Sequence, residues 1–211
     1  MLTVSTWIWG HKFNKTHIDR LREGIRRHLK QPYQWRVFHP EVRDMPLTKI
    51  KGCFPRLRMF DPKWQARNGI DDRIINFDLD TVITGPLDPL FDRTEPFVIM
   101  QGANKVNPCK MNGALMMIKA GSHPEIWEDF SVEAAQRIPF HDFPDDQGWI
   151  WHKVPGAAGW QVGPDTGVYV YHKRGWPEGS EDLPANARLV TFVNREPSQL
   201  MHLNWVRENW K

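Results

Sequence analysis

The sequence predicts one α/β domain spanning residues 1–211, a layered sheet with helices packed on its faces. Three observations predict it. Short runs rich in β-branched and aromatic residues alternate with stretches of helical spacing. No repeat, low-complexity segment or linker divides the 211 residues. Two carboxylates, Asp78 and Asp80, stand where one apolar strand run ends, and the carboxyl ends of strands are where sheets of this class bind ligands.

The elements follow in order. Leu2–Trp9 reads as the first strand, ended by Gly10. Thr16 then caps a helix whose inward residues are Ile18, Leu21, Ile25 and Leu29. Its other face, with Arg20, Arg22, Arg26, Arg27 and Lys30, reads as a solvated surface. Gln34–His39 is a second strand. Arg56–Phe60 is the core of a short helix, opened by Pro55 and closed by Pro62. Arg73–Phe77 is the third strand, and Pro96–Gln101 and Gly113–Ile118 are two more. His123–Arg137 has the spacing of an amphipathic helix, Asp145–His152 that of a short helix, and Arg188–Val193 that of a late strand. The tail NWVRENWK places Trp205 and Trp210 on a helix that docks on the body. Strands separated by helices favour right-handed crossovers in one sheet.

Composition narrows the function. A hydrophobic fraction of 40% and a charged fraction of 25% are those of a soluble globular protein. The net charge of +3 is spread along the chain, which suits an anionic small ligand and argues against a nucleic-acid surface. No apolar run is long enough for a transmembrane segment, and the first ten residues lack the features of a signal peptide. Two lone cysteines, Cys53 and Cys109, imply reduced thiols and a cytoplasmic setting. The histidines show no H-x-x-x-H pairing that would suggest zinc. Eleven tryptophans stand against three tyrosines, so among Trp149, Trp151 and Trp160 one is a candidate sugar platform.

The acid pair allows two chemistries. Side chains one residue apart in an extended chain share a face, so Asp78 and Asp80 point together and Leu79 points to the core. Two carboxylates this close ionise readily only beside a cation. A magnesium or manganese ion bound through them would also take phosphate oxygens. Alternatively, Asp78-Leu79-Asp80-Thr81-Val82 satisfies the first motif of haloacid-dehalogenase-like phosphohydrolases, with Asp78 the nucleophile and Asp80 the acid. Against this, the motif lies far into the chain.

The neighbouring segments carry a resemblance. RIINFDLDTVITGPLDPLF, residues 73–91, resembles the metal-binding segment of GT-A fold glycosyltransferases, above all family-eight-like bacterial and phage enzymes. Gly52–Phe60 (GCFPRLRMF), Met111–Met116 (MNGALM), Ala120–Trp127, Asp145–Gly148 (DDQG), Tyr171–Lys173 and Asp182–Phe192 resemble further segments of that family in the same order. Together they cover most of the chain. The resemblance implies a GT-A, Rossmann-like mixed sheet flanked by helices. It implies a hexosyltransferase-type enzyme, with retention of configuration, that moves a sugar from a nucleotide-sugar donor, a UDP-sugar above all, to a carbohydrate or glycolipid acceptor. Mn2+ or Mg2+ would be its cofactor. Ser5, Thr6 and Trp7 would cradle the nucleotide. Arg56, standing where the family usually has lysine, would meet phosphate or sugar. Asn112 and Gly113 would lie under the donor sugar, Asp146 and Gln147 at the anomeric carbon, and Lys173 at the phosphate. Asp78 and Asp80 would hold the metal. The family's third ligand, a histidine, falls on Val193, which cannot ligate. Asn194 is the nearest substitute, with His172 and His202 as other candidates. That departure keeps open a third reading, a non-catalytic carbohydrate-binding relic.

Overall fold

The computed structural model describes residues 1–103, 109–138 and 145–211. A six-stranded sheet has the order β2-β1-β3-β6-β5-β7. Its strands are β1 (Leu2–Trp7), β2 (Tyr33–Phe38), β3 (Arg73–Phe77), β5 (Phe97–Gln101), β6 (Met111–Lys119) and β7 (Ala158–Gln161). β6 runs antiparallel to both its neighbours, β3 and β5, while β1 pairs in parallel with β2 and β3. A second sheet, β4-β9-β8, is formed by β4 (Thr81–Ile83), β8 (Val168–Val170) and β9 (Leu189–Thr191). The fold is thus the mixed α/β sheet flanked by helices that the sequence predicts.

β1 is buried along its whole length, because neighbours cover both its edges and both its faces. Its polar residues survive there by bonding to β3. Ser5 Oγ donates to Asn76 Oδ1 at 3.2 Å, and Thr6 Oγ1 to the Phe77 carbonyl at 2.8 Å. The chain passes from β1 to β2 on one side and returns to β3 on the other. The order of strands therefore reverses at β1, and the carboxyl ends of β1 and β3 open a crevice there.

The helices are α1 (Lys15–His28), α2 (Pro62–Arg67), α3 (Asp88–Phe91), α4 (Glu125–Glu128), α5 (Val132–Gln136), α6 (Asp146–Lys153) and α7 (Asn204–Asn209). α1 lies over one sheet face through Leu21 and Ile25, beside Val4 and Phe77. The opposite face is covered by the segment Phe54–Phe60 with α2, α4, α5 and α6, through Phe54, Leu57, Phe60, Trp64, Ile126 and Trp149. A third cluster joins the small sheet to the tail, where Trp205 and Trp210 of the α7 region pack with Tyr171 and Phe192.

Several boundaries differ from the sequence reading. Asn14, not Thr16, caps α1: its side chain accepts the Thr16 amide. Phe54–Phe60 is a 3₁₀ turn with every residue buried, and Pro62 opens α2 where a stop was expected. The 123–137 helix is two short ones, because Ser131 takes an extended backbone and caps α5. β4, β7 and β8 were not foreseen; each is only three or four residues long. Among the described residues no helix is long and apolar enough to cross a membrane.

Candidate active site

The two acids sit at the joint between the sheets. β3 ends at Phe77 and β4 begins at Thr81, so Asp78-Leu79-Asp80 is the crossing. Asp78 belongs to the large sheet, its amide donating to the Ala114 carbonyl at 3.0 Å. Asp80 belongs to the small one, its carbonyl accepting the Phe192 amide at 3.1 Å. Leu79 anchors the crossing in the core, where it is 1% exposed. Each acid is held by a different sheet, which fixes the pair without a helix or long turn.

Arg56 is the hub beside them. The 3₁₀ turn brings it under β6 with only 6% of its side chain exposed. Nη1 donates to Asp78 Oδ1 at 2.6 Å and to the Gly113 carbonyl at 3.1 Å, and Nε donates to Asp146 Oδ2. Gly113 is required here for space. A Cβ at that position would fall 2.6 Å from the guanidinium carbon and closer still to Nη2. The sequence-based role for Gly113, close approach to a sugar, is in this structure close approach to Arg56.

Gln147 is set from two sides. Its Oε1 accepts the Gly113 amide at 3.0 Å, and its Nε2 donates to Asp145 Oδ2 at 2.9 Å. Asp145 also caps α6 through the Gly148 amide at 2.7 Å. The Cys109 thiol donates to the Gln147 carbonyl at 3.5 Å. Asn112 folds its Oδ1 back onto the Ala114 amide at 2.9 Å. Asp78, Asn112, Gly113, Asp146 and Gln147 are therefore one connected group around Arg56.

The electrostatics are strained. Burial pushes Asp80 up to about 7, and the Asp78 charge pushes the same way against the pull of Lys12. Burial likewise lifts Asp146 to about 7; Arg56 opposes this, while Asp145 and Asp78 add to it. Asp78 is also raised, by burial against the pull of Arg56. The Arg56 guanidinium is held firmly charged, the acids beside it outweighing its own burial. Among the described residues, Asp78, Asp80 and Asp146 meet here beside two cations, Arg56 and Lys12.

The other residues singled out in the sequence stand apart from this group. The Ser5 and Thr6 side chains are used up within the sheet, as described above. Trp7 is 6% exposed and lies against Trp64 and Phe38, with ring centroids 5.7 and 5.6 Å away. Lys173 lies on an exposed turn after β8, its amide donating to the Val170 carbonyl at 3.0 Å. Asn194 follows Phe192 by two residues, exposed and with φ of 59°. It makes no hydrogen bond to either acid among the described residues. Trp149 and Trp160 are core residues whose indole N–H groups donate to the carbonyls of Ile126 and Leu90. In the stretch FHDFPDDQGW, whose acids read in the sequence either as a polar turn into the next helix or as an acceptor loop, His141 and Asp142 lie outside the described residues.

Two neighbours of the acids were missed in the sequence. Lys12 Nζ stands 3.5 Å from Asp80 Oδ2, and Thr191 Oγ1 donates to Asp80 Oδ1 at 3.4 Å. Only the strand pairing of β4 with β9 brings Thr191 there, and no local pattern marks it. Lys12 had a weak signal, a lone cation in the loop after β1.

The donor set suits a hard divalent cation in part. Two carboxylates stand near enough for Asp78 to raise Asp80, and oxygen ligands from phosphate and water would complete such a shell. Among the described residues no three His, Cys, Asp or Glu side chains converge as a metal cage.

Comparison of the fold with solved structures gives close matches. A glycosyltransferase involved in glycosylation of the major capsid of PBCV-1 superposes with a TM-score of 0.58 at 15% identity, over 96% of this chain and 98% of that one. The fold is that of GT-A glycosyltransferases. An active-site mutant of LgtC matches with a TM-score of 0.58 at 9% identity, covering 93% of this chain and 89% of its own. The apo form of mouse xyloside xylosyltransferase 1 gives 0.56 at 10% identity, over 90% and 96% of the two chains. The glycosyltransferase GlyE of Streptococcus pneumoniae matches at 0.53 and 12% identity over 74% of this chain, which spans 44% of the length of GlyE. No family profile and no curated protein sequence matches the chain.

Proposed function

We propose that residues 1–211 form one glycosyltransferase domain of the hexosyltransferase type. It transfers a sugar from a nucleoside diphosphate sugar, a UDP-sugar above all, to a hydroxyl of a carbohydrate or glycolipid acceptor. One observation carries the reading. Three segments singled out from the sequence alone, around Arg56, Asp78 and Asp146-Gln147, meet at a single guanidinium at the strand-order reversal. The shared fold of solved glycosyltransferases supports it.

In this reading Asp78 and Asp80 hold Mn2+ or Mg2+, with Asn194, next in sequence to the position where the family has histidine, a candidate for a third protein oxygen. The ion, when bound, would offset the charge that develops on the departing diphosphate. The crowding of buried carboxylates favours a divalent cation over none. Arg56 locks Asp78 and Asp146 in place, so the site is organised before the donor arrives. Gln147, fixed by Gly113 and Asp145, offers an amide to the sugar, and Asn112 stands next to Gly113 on β6. Because the Ser5 and Thr6 hydroxyls are bonded within the sheet and Trp7 is buried, the end of β1 has main chain to offer a nucleotide base. Lys173 would reach the phosphates from the turn after β8. Retention of configuration and a cytoplasmic setting belong to the same reading. The phosphohydrolase alternative fits less well, since Asp78 Oδ1 is bound to Arg56 and the fold is that of transferases.

The test is turnover. UDP release from a panel of UDP-sugars is measured with manganese and saccharide acceptors. We expect release that needs both metal and sugar nucleotide, and that Asp80→Asn lowers by at least about 100-fold, as loss of a principal electrostatic group does. Full activity in Asp80→Asn would remove the metal role. Hydrolysis of an aryl phosphate without sugar transfer would sink the transferase reading. Saccharide binding without any turnover would leave a carbohydrate-binding relic.

A further inference from the structure

Among the described residues two cations face the acid pair, and they are built differently. Arg56 is buried, 2.6 Å from Asp78, and locked by Asp146 and the Gly113 carbonyl. Lys12 is half exposed, with 52% of its side chain open, and stands 3.5 Å from Asp80. Its ammonium also lies 4.5 Å from the Phe13 ring centroid. It borders an open cavity of about 430 Å3 whose walls include Asn14, His17, Arg20, Glu196 and Trp210. A pair this long and this exposed is weak, and the cavity leaves the flexible stem room to move. Only one of the two cations can therefore leave without breaking a buried network.

We propose that Lys12 is an exchangeable counter-ion, holding Asp80 until a divalent cation takes the carboxylate and then binding the donor diphosphate. This rests on the metal and nucleotide-sugar reading given above. The charge balance motivates it. Asp80 cannot serve a divalent cation and Lys12 at full strength together. An ammonium freed beside the acid pair would stand at the mouth of the crevice between the β1 and β3 ends, where an anionic phosphate would lie.

The consequence has opposite signs for two ligands. Without Lys12, manganese alone meets no competing cation and binds more tightly. A nucleoside diphosphate loses a charge-assisted contact and binds more weakly. A merely structural lysine would weaken both or neither. The experiment is binding without turnover: manganese titrated by electron paramagnetic resonance, and UDP titrated calorimetrically in saturating manganese, for the wild type, Lys12→Met and Lys12→Arg. We expect Lys12→Met to bind manganese alone about two- to fivefold more tightly, the range of a half-exposed ion pair. UDP binding should weaken about tenfold, and Lys12→Arg should recover most of that loss. If the wild type binds manganese but Lys12→Met binds it no more tightly, or UDP no more weakly, the proposal fails while the metal reading stands. If the wild type binds no manganese with or without UDP, the metal reading falls and this proposal with it.

Discussion

Two buried arginines, two residues apart on one 3₁₀ turn, make contrasting clusters. Arg56 gathers Asp78 and Asp146; Arg58 gathers Asp44 and Asp61. Each has one cation and two acids, the cation placed by the same turn. Arg58 Nε and Nη2 grip Asp44 at 3.0 and 2.5 Å, and its guanidinium lies 3.7 Å from the Trp127 ring. Asp61 caps α2 through the Lys63 amide. Burial pushes Asp61 up, but the Arg58 contact and the Trp64 and Lys63 amides overcome it and hold it below the usual carboxylate range. Asp146, equally paired, is driven up to about 7 by burial and by further acids around it. The same arginine–carboxylate stoichiometry thus gives a settled structural cluster on one side and an acid-rich one on the other. The acid excess, not the ion pair, distinguishes the candidate site.

Removing the two arginines separates these cases most strongly. Arg58→Met strands two buried carboxylates, of which Asp61 is held in its charged form by Arg58, and we expect a loss of about 3–5 kcal/mol in urea unfolding at pH 7. Arg56→Met should cost about 1–3 kcal/mol, nearer the cost of an unsatisfied buried polar group, because Asp146 already sits at about 7 and can take up a proton. Donor binding should follow the reverse order, lost in Arg56→Met and kept in Arg58→Met. Equal destabilisation would mean that the two clusters do the same job.

Gly113→Ala sharpens the comparison within the Arg56 cluster. The new Cβ would displace the guanidinium, so a thermal or urea measurement should show about 1–3 kcal/mol of lost stability from overpacking. UDP-sugar affinity should fall with it. Pairing the change with Arg56→Met tests the cause. In the double variant the alanine should add almost nothing, since contacting residues are not additive.

How much of this was readable in the sequence follows from the range of the forces involved. The alternation of strands and helices, the strand end at Phe77 just before Asp78, and a short helix through Asp146-Gln147 rest on local pattern, and they stand in the structure. β4, β7 and β8 are too short to show a period, and they form because partners pair with them. Asn14 outcompeted Thr16 as cap because its side chain reaches the Thr16 amide while His17 returns a bond to it. Lys12 beside Asp80, and Gly113 making room for Arg56, are contacts across dozens of residues. No spacing rule gives them. Trp7 shows the limit from the other side. An aromatic at the end of β1 reads equally as a base platform or a core residue, and the deciding neighbours, Phe38 and Trp64, come from β2 and α2.

The smallest effect separates Asp80, which the Asp78 charge reaches beside the Arg56 cluster, from Asp61 of the Arg58 cluster by pH. Asp80 is raised to about 7 in the fold, against an ordinary value of about 3.9. The folded state therefore binds more protons than the unfolded chain between those limits. Its favourable contribution is complete below about pH 4 and is lost as pH rises through about 7. Asp61 is depressed, so its contribution is present above the ordinary carboxylate value and is lost only as pH falls through its lowered value. At pH 7.5, Asp80→Asn should raise stability by about 1–2 kcal/mol. This is discounted from the roughly 4 kcal/mol that the full rise implies, because the amide keeps a polar group buried. Asp61→Asn should lower stability by about 1–2 kcal/mol, the size of a charged hydrogen bond lost. On moving to pH 5 the Asp80→Asn gain should shrink towards zero while the Asp61→Asn loss persists. Urea midpoints of both variants at the two pH values measure this directly. Saturating manganese at pH 7.5 should erase the Asp80→Asn gain by stabilising the wild type alone. A gain that survived both the acid shift and manganese would mean that Asp80 is not the member of the pair carrying the charge excess.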